Sequence, residues 1–249
     1  VIAQPQERSA RELYDVNRRF YDALWSGARL VEARRFNTWP LVASLLPQAP
    51  QRLEIAPGLR PRLPIPGTQF IDISEPALAH LGRRGGHVVC GTVTALPYPD
   101  RTFDLVCALD IIEHVDNDLA AWSEVARVAK PGAVLLVSVP LHASRWTAFD
   151  DFVGHKRRYE PEELTSRLAE HAFRVEQSAI YGMQPRSSRL LDLGMWWLTH
   201  HRARAMWWYN RVIMPLGVYF QSKLVLTRGM LDATAVDEVL LVCRKENSG

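Results

Sequence analysis

Two apolar runs separated by one amphipathic helix constrain this chain more than any other feature. Leu105–Leu109 lies between Asp104 and Asp110, and Ala133–Val139 follows the turn-forming Lys130-Pro131-Gly132. Between them Leu119, Trp122, Val125, Ala126 and Ala129 recur at helical spacing. A run that is apolar at every residue is a strand buried on both faces. Such strands alternating with helices form a parallel sheet covered on both sides. Ligands of these sheets bind beyond the carboxyl ends of the strands. At those ends this chain places Asp110, Glu113 and His114.

The same pattern extends in both directions. Residues 8–34 read as helix with aromatics at Tyr14, Phe20, Tyr21 and Trp25, and Thr38–Leu46 as a second helix with Pro40 in its first turn. Further strands are expected at 52–55, 69–73, 87–90, 173–180 and 239–243. Ser74 is placed to cap a helix opened by Glu75 and Pro76 and ending near Gly85. Pro161, Glu162 and Glu163 open another helix. The fold class expected is α/β: a doubly wound, Rossmann-like, mostly parallel seven-stranded sheet with helices on both faces.

With 249 residues and 47 % hydrophobic content, the chain can form one large domain or one domain with an insertion. A net charge of +3 argues against a nucleic-acid footprint over the whole chain. Cys90, Cys107 and Cys243 fall in expected strands without metal-ligand spacing, which reads as reduced core cysteines of a cytoplasmic protein. No run of apolar residues is long enough to span a membrane, and Val1–Phe20 lacks the apolar centre of a signal peptide.

The strings ALPYPDRTFDLVCALDIIEHVDND at residues 95–118 and EVARVAKPGAVLLVSVP at 124–140 resemble the class I S-adenosylmethionine-dependent methyltransferases, in their broad small-molecule branch. The resemblance extends over residues 50–180. It implies S-adenosylmethionine as cofactor and an acceptor of small-molecule or lipid-like kind. It also implies a cofactor edge made of Glu54, Ala56, Gly58, Asp72, Ile73, Thr92, Val93, Leu109 and Asp110. Two of these depart from the family. Ala56 stands at an expected glycine, and Thr92 stands where many relatives have an aspartate. Asp72, ending a strand, can accept both hydroxyls of a ribose. The alternative is a non-catalytic module on the same fold with a degenerate cofactor pocket.

Beyond Gly58 the sequence is LRPRLPIPG, with Pro61, Pro64 and Pro66. Prolines at that density deny a helix its donors, so Arg60–Gly67 is expected to be extended. Either the loop is a shortened connection, or Arg60 or Arg62 reaches the cofactor or the acceptor. The string Gly154-His155-Lys156-Arg157-Arg158-Tyr159 resembles one found in many such methyltransferases over the mouth of the site. There His155, Tyr159 and His114 are candidates to deprotonate or orient an acceptor, and Arg157 and Arg158 to hold an anion. The competing reading is a clasp in which the arginines pair Asp150 or Asp151. No metal is expected, because no second histidine or cysteine sits at ligand spacing from His114.

The chain then divides into N-terminal helices (1–47), a cofactor-binding core (48–182), an insertion (183–232) and a final strand with its tail (233–249). The insertion holds Trp196, Trp197, Trp207 and Trp208, with six arginines and one lysine against Asp192 alone before Asp232 ends it. It reads as helical. Three roles are open: packing on its own domain or on a second subunit, a lid over a large apolar acceptor, or a peripheral membrane contact. Sequence leaves the oligomeric state open.

Overall fold

The computed structural model describes Trp25, residues 28–182, Trp196, Trp197 and residues 200–247. Eight strands form one sheet: β1 (Arg52–Ile55), β2 (Thr68–Asp72), β3 (His87–Cys90), β4 (Phe103–Leu109), β5 (Ala129–Pro140), β6 (Phe173–Ile180), β7 (Thr227–Arg228) and β8 (Glu238–Lys245). Their order is β3-β2-β1-β4-β5-β8-β6-β7. The first five pair in parallel. β8 runs antiparallel between β5 and β6. The strand beyond the expected seven is β7, a two-residue edge strand from within the insertion.

Period-two alternation distributes the apolar runs between two cores. Val106 and Ala108 of β4, Leu135 and Val137 of β5, and Leu241 and Cys243 of β8 face one layer. Leu105, Cys107, Leu136, Leu240 and Val242 face the other. The first layer is roofed by Trp122, Val125 and Val128 of the helix Asp118–Val128 and by Leu164 and Leu168 of Pro161–Glu170. The second layer is covered by Leu41 and Val42 of the helix Trp39–Leu45 and by Leu63 of the proline loop. Residues 56–67 form turns and bends with no helix. Leu63, fully buried, thus does part of the work of an absent crossover helix.

Several expectations need correction. Of the helix expected over 8–34, residues 8–24, 26 and 27 lie outside the described residues; 28–32 are not helical, and Ala33–Arg35 is a single 3₁₀ turn. Lys130-Pro131-Gly132 lies inside β5, where Gly132 takes φ +79° and the register with β4 shifts. The Ser74 side chain makes no capping bond to its helix, Glu75–Gly82. Instead Asp72 Oδ1 accepts the Ser74 N–H at 2.8 Å. Cys107 and Cys243 are buried, but Cys90 is exposed, because β3 is an edge strand.

Candidate functional site

The strand order reverses at β1, so the crevice between β1 and β4 is the switch point at which doubly wound sheets bind ligands. The turn leaving β1 puts both Ala56 and Gly58 at φ +53°. That backbone is strained for alanine and natural for glycine. The Gly58 N–H donates to Asp72 Oδ2 at 2.9 Å, which ties the ends of β1 and β2 together. A Cβ at Gly58 would lie 2.1 Å from the Trp25 ring, so glycine is required there for packing as well. Asp72 is buried, held by the N–H groups of Gly58 and Ser74.

The remaining cofactor candidates fall along the same edge with one exception. Ile73 is half-buried beside Asp72 and Val93 is buried beyond β3. Thr92 Oγ1 lies 3.0 Å from Thr94 Oγ1. Leu109 is half-buried, and Asp110, at φ +53°, turns the chain out of β4. The exception is Glu54. Its two oxygens accept the N–H groups of Arg62 (2.7 Å) and Leu63 (2.8 Å), so it anchors the proline loop. Burial, against those two donors, lifts its pKa to about 7. The buried Asp72 carboxylate beside a left-handed glycine turn fits the ribose of an adenosyl cofactor. Thr92 and the backbone at Val93 would hold its base.

A cleft of about 680 Å³ opens beside this edge, beyond the ends of β4 and β6 and the start of β8. Its lining includes Arg62, Asp110, Tyr181, Phe220, Lys223 and Glu238. Arg62 donates to the Tyr181 hydroxyl at 3.1 Å, and its guanidinium lies 3.6 Å from the Phe36 ring centroid. Burial, with Asp110 nearby, pushes the Glu238 carboxyl well above the usual range. Arg60 does not line this cleft. It stacks on Trp25 (5.1 Å) and Tyr209 (5.2 Å) and donates to the Tyr209 hydroxyl, joining the N-terminal region, the proline loop and the insertion. Glu238 and Tyr181 were not foreseen. Antiparallel pairing of Pro140 with Glu238 brings the start of β8 beside the end of β5.

The Gly154–Tyr159 string divides between both readings. Arg158 binds both oxygens of the buried Asp150, at 2.8 and 2.9 Å. Arg157 pairs with Asp118 and donates to the carbonyls of Val115 and Asp116. Tyr159 is buried, with its hydroxyl on Asp118 at 2.8 Å and its ring against Trp122. These three hold the loop; the anion-binding and proton-transfer roles expected of them are taken up by structural partners. His155 differs. Its Nδ1 lies 2.8 Å from Asp150 Oδ1, while Nε2 is 3.9 Å from Glu113 Oε1, too far for a hydrogen bond. Burial lowers its pKa although Asp150 opposes the shift. The pairing with Asp150 assigns the proton to Nδ1 and leaves Nε2 the acceptor.

His114 packs edge-on against His155, ring centroids 4.7 Å apart. Burial, then the neighbouring His155, pushes its pKa down to about 3. Glu113 is buried and shifted well upward by burial and then by Asp110. Its Oε2 has no hydrogen-bond partner among the described residues. The fold therefore brings a second histidine to His114 from far along the chain. Donor atoms of Glu113, His114 and His155 lie within 4.8 Å of one another. Neighbouring donors around a tetrahedral zinc ion sit about 3.3 Å apart, so these would have to close in to hold one.

A family profile described as a methyltransferase domain matches residues 69–137, from β2 through most of β5. A probable S-adenosylmethionine-dependent methyltransferase of Mycolicibacterium smegmatis is 34 % identical over 114 residues, 43 % of this chain and 44 % of that protein. Over this segment the chain is similar to S-adenosylmethionine-dependent methyltransferases. A demethylmenaquinone methyltransferase of Mycobacterium bovis is 38 % identical over 85 residues, 33 % of this chain and 36 % of that one. Less than half the length of these curated relatives is spanned by the match. The crystal structure of an S-adenosylmethionine-dependent methyltransferase of Thermotoga maritima shares the fold, with TM-score 0.55 and 17 % identity over 95 % of this chain and 94 % of that one.

Proposed function

We propose that this chain transfers a methyl group from S-adenosylmethionine to a small-molecule or lipid-like acceptor held in the cleft. The observation that carries the reading is the position of Asp110. It ends β4 at the switch point, next to the turn that binds Asp72, and it also lines the cleft. The two compartments meet there. Bound S-adenosylmethionine supplies an electrophilic methyl group, so no nucleophilic side chain is needed.

The protein's task is then to align, to exclude water and to accept one proton. Alignment of that kind can contribute about 7–11 kcal/mol. Asp72 and the Gly58 turn hold the adenosyl side. Arg62 and Tyr181 form a polar wall of the cleft. His155, neutral and oriented by Asp150, is not among the residues lining the cleft; it is the group proposed to take the acceptor's proton through water. Help of that kind is worth about 10²–10⁴-fold.

One observation favours the non-catalytic alternative. Ala56 holds a left-handed backbone where the family uses glycine. Titration calorimetry with S-adenosylmethionine and S-adenosylhomocysteine separates the two. Micromolar to low-millimolar binding supports the enzyme. Indifference to both ligands would leave only the module.

A further inference from the structure

The insertion's helical run combines three segments: Arg202–Trp208, a π turn at Tyr209–Ile213, and Met214–Tyr219. Among its described side chains the buried ones are Ala205, Asn210, Met214 and Val218. The steps between them are five, four and four. The wide first step is the extra residue of the π turn, and it keeps the inner stripe continuous. Met214 and Val218 pack on Phe36. The same offset aligns an outer stripe. Trp207 is 55 % exposed, Trp208 46 %, Leu216 51 %, and Tyr219 and Phe220 74 % each, with Val225 at 74 % just beyond.

Contiguous exposed aromatics on this scale mark an interaction surface. Charge identifies the partner. The sequence has no Asp or Glu between Asp192 and Asp232, and Arg204, Arg211 and Lys223 are exposed among the aromatics. A second copy docking face to face would set these cations against their own counterparts, as an isologous interface requires. An anionic bilayer complements both features: tryptophan and tyrosine sit at headgroup depth, and arginine and lysine meet the lipid charge. None of the helices of the described residues is long and apolar enough to cross a membrane.

We infer that the outer face of residues 204–225 docks this chain on an anionic membrane surface, with the cleft opening toward the lipid. Gly217, Phe220, Lys223 and Val225 line the cleft as well, so face and cleft share a wall. An amphiphile could present its polar end to Arg62, Asp110 and Glu238 while its tail stays in the bilayer. The lipid-borne acceptor rests on the methyl-transfer reading; the docking face does not.

The full chain should float with vesicles of phosphatidylglycerol and phosphatidylcholine in equal parts, and not with phosphatidylcholine alone. High salt should release it. Trp207→Ser with Trp208→Ser, and separately Arg204→Glu with Arg211→Glu, should each weaken vesicle binding by about tenfold or more. Both variants should keep S-adenosylhomocysteine affinity, which reports that they fold. Wild-type protein that stays in solution with anionic vesicles overturns the docking face. So does undiminished binding by both variants, or a dimer in light scattering that Trp207→Ser dissolves while vesicles have no effect. Vesicle binding without any cofactor binding would remove the methyl-transfer reading and leave the docking face standing.

Discussion

Arg158 donates to both carboxylate oxygens of Asp150, at 2.8 and 2.9 Å, while Nδ1 of His155 lies 2.8 Å from one of the same oxygens. One arginine therefore sets the charge that orients the histidine. Burial works against the Asp150 anion, but Arg158, the Thr147 N–H and His155 outweigh it and hold the pKa down to about 2. Removing the guanidinium would strip the buried carboxylate of its arginine and leave it only Thr147 and His155; breaking such a buried ion pair costs about 3–5 kcal/mol. Arg158→Ala should lose that much stability in urea unfolding. Arg158→Lys keeps the charge but not the fork, and should lose less.

His155→Ala tests the other half of the pair. If His155 takes the acceptor's proton, turnover should fall by about 10²–10⁴-fold while S-adenosylhomocysteine affinity stays nearly unchanged. Burial puts its pKa below the ordinary value of 6.5. Wild-type turnover should therefore decline only below that pH, as the imidazole takes up a proton. A variant with full turnover on an identified acceptor would assign the whole Gly154–Tyr159 string to the clasp.

Asp72 accepts the backbone N–H of Gly58, so its removal touches both the turn and the ribose site. Asp72→Ala should weaken S-adenosylhomocysteine binding by about 1.5–3 kcal/mol, the worth of hydrogen bonds to a charged group. Asp72→Asn keeps one acceptor oxygen and should fall between the two. Calorimetry on both variants, with circular dichroism as the folding check, measures it. Equal affinity in all three proteins would place the ribose elsewhere.

What could be read from the sequence follows from how local each determinant is. β4 and β5 were legible because each is a continuous apolar run with polar ends. The loss of the helix after β1 was legible from Pro61, Pro64 and Pro66. The anchor of that loop was not: Glu54 looked like a cofactor ligand, and only the fold shows its oxygens turned to Arg62 and Leu63. Glu238 was missed because it precedes an ordinary apolar strand. Its importance comes from antiparallel pairing with Pro140, a relation that no local pattern encodes. His155 and His114 meet for the same reason, across a long interval of chain. Arg157, Arg158 and Tyr159 stood out in the sequence as a group, yet charge and aromaticity alone do not distinguish a clasp from an anion site.

The half-buried histidine beside His155 gives the protein a specific acid sensitivity. Burial first, then His155, brings the His114 pKa down to about 3 from an ordinary 6.5, although the Gly154 backbone resists the shift. Below about pH 6.5 the unfolded chain binds a proton that the folded protein refuses, so stability is lost as pH falls from there toward 3. Glu54 acts with the opposite sign. Its carboxyl is raised from 4.5 to about 7, so the folded state holds a proton the unfolded chain has released, and stability rises as pH falls between those values. Asp150, lowered from 3.8 to about 2, adds to the loss only below about pH 4. The two opposing groups can be separated by variant, each read against wild type because Glu113 and Glu238, also raised, share the sign of Glu54. Between pH 6.5 and 5 the change in urea midpoint of His114→Gln should be more favourable to the folded state than that of wild type, because the refused proton is gone. That of Glu54→Gln should be less favourable, because the proton uptake is gone. Measured at constant ionic strength, a His114→Gln protein with the wild-type pH profile would mean that His114 is protonated in the folded protein, and the neutral pair His114–His155 would have to be abandoned.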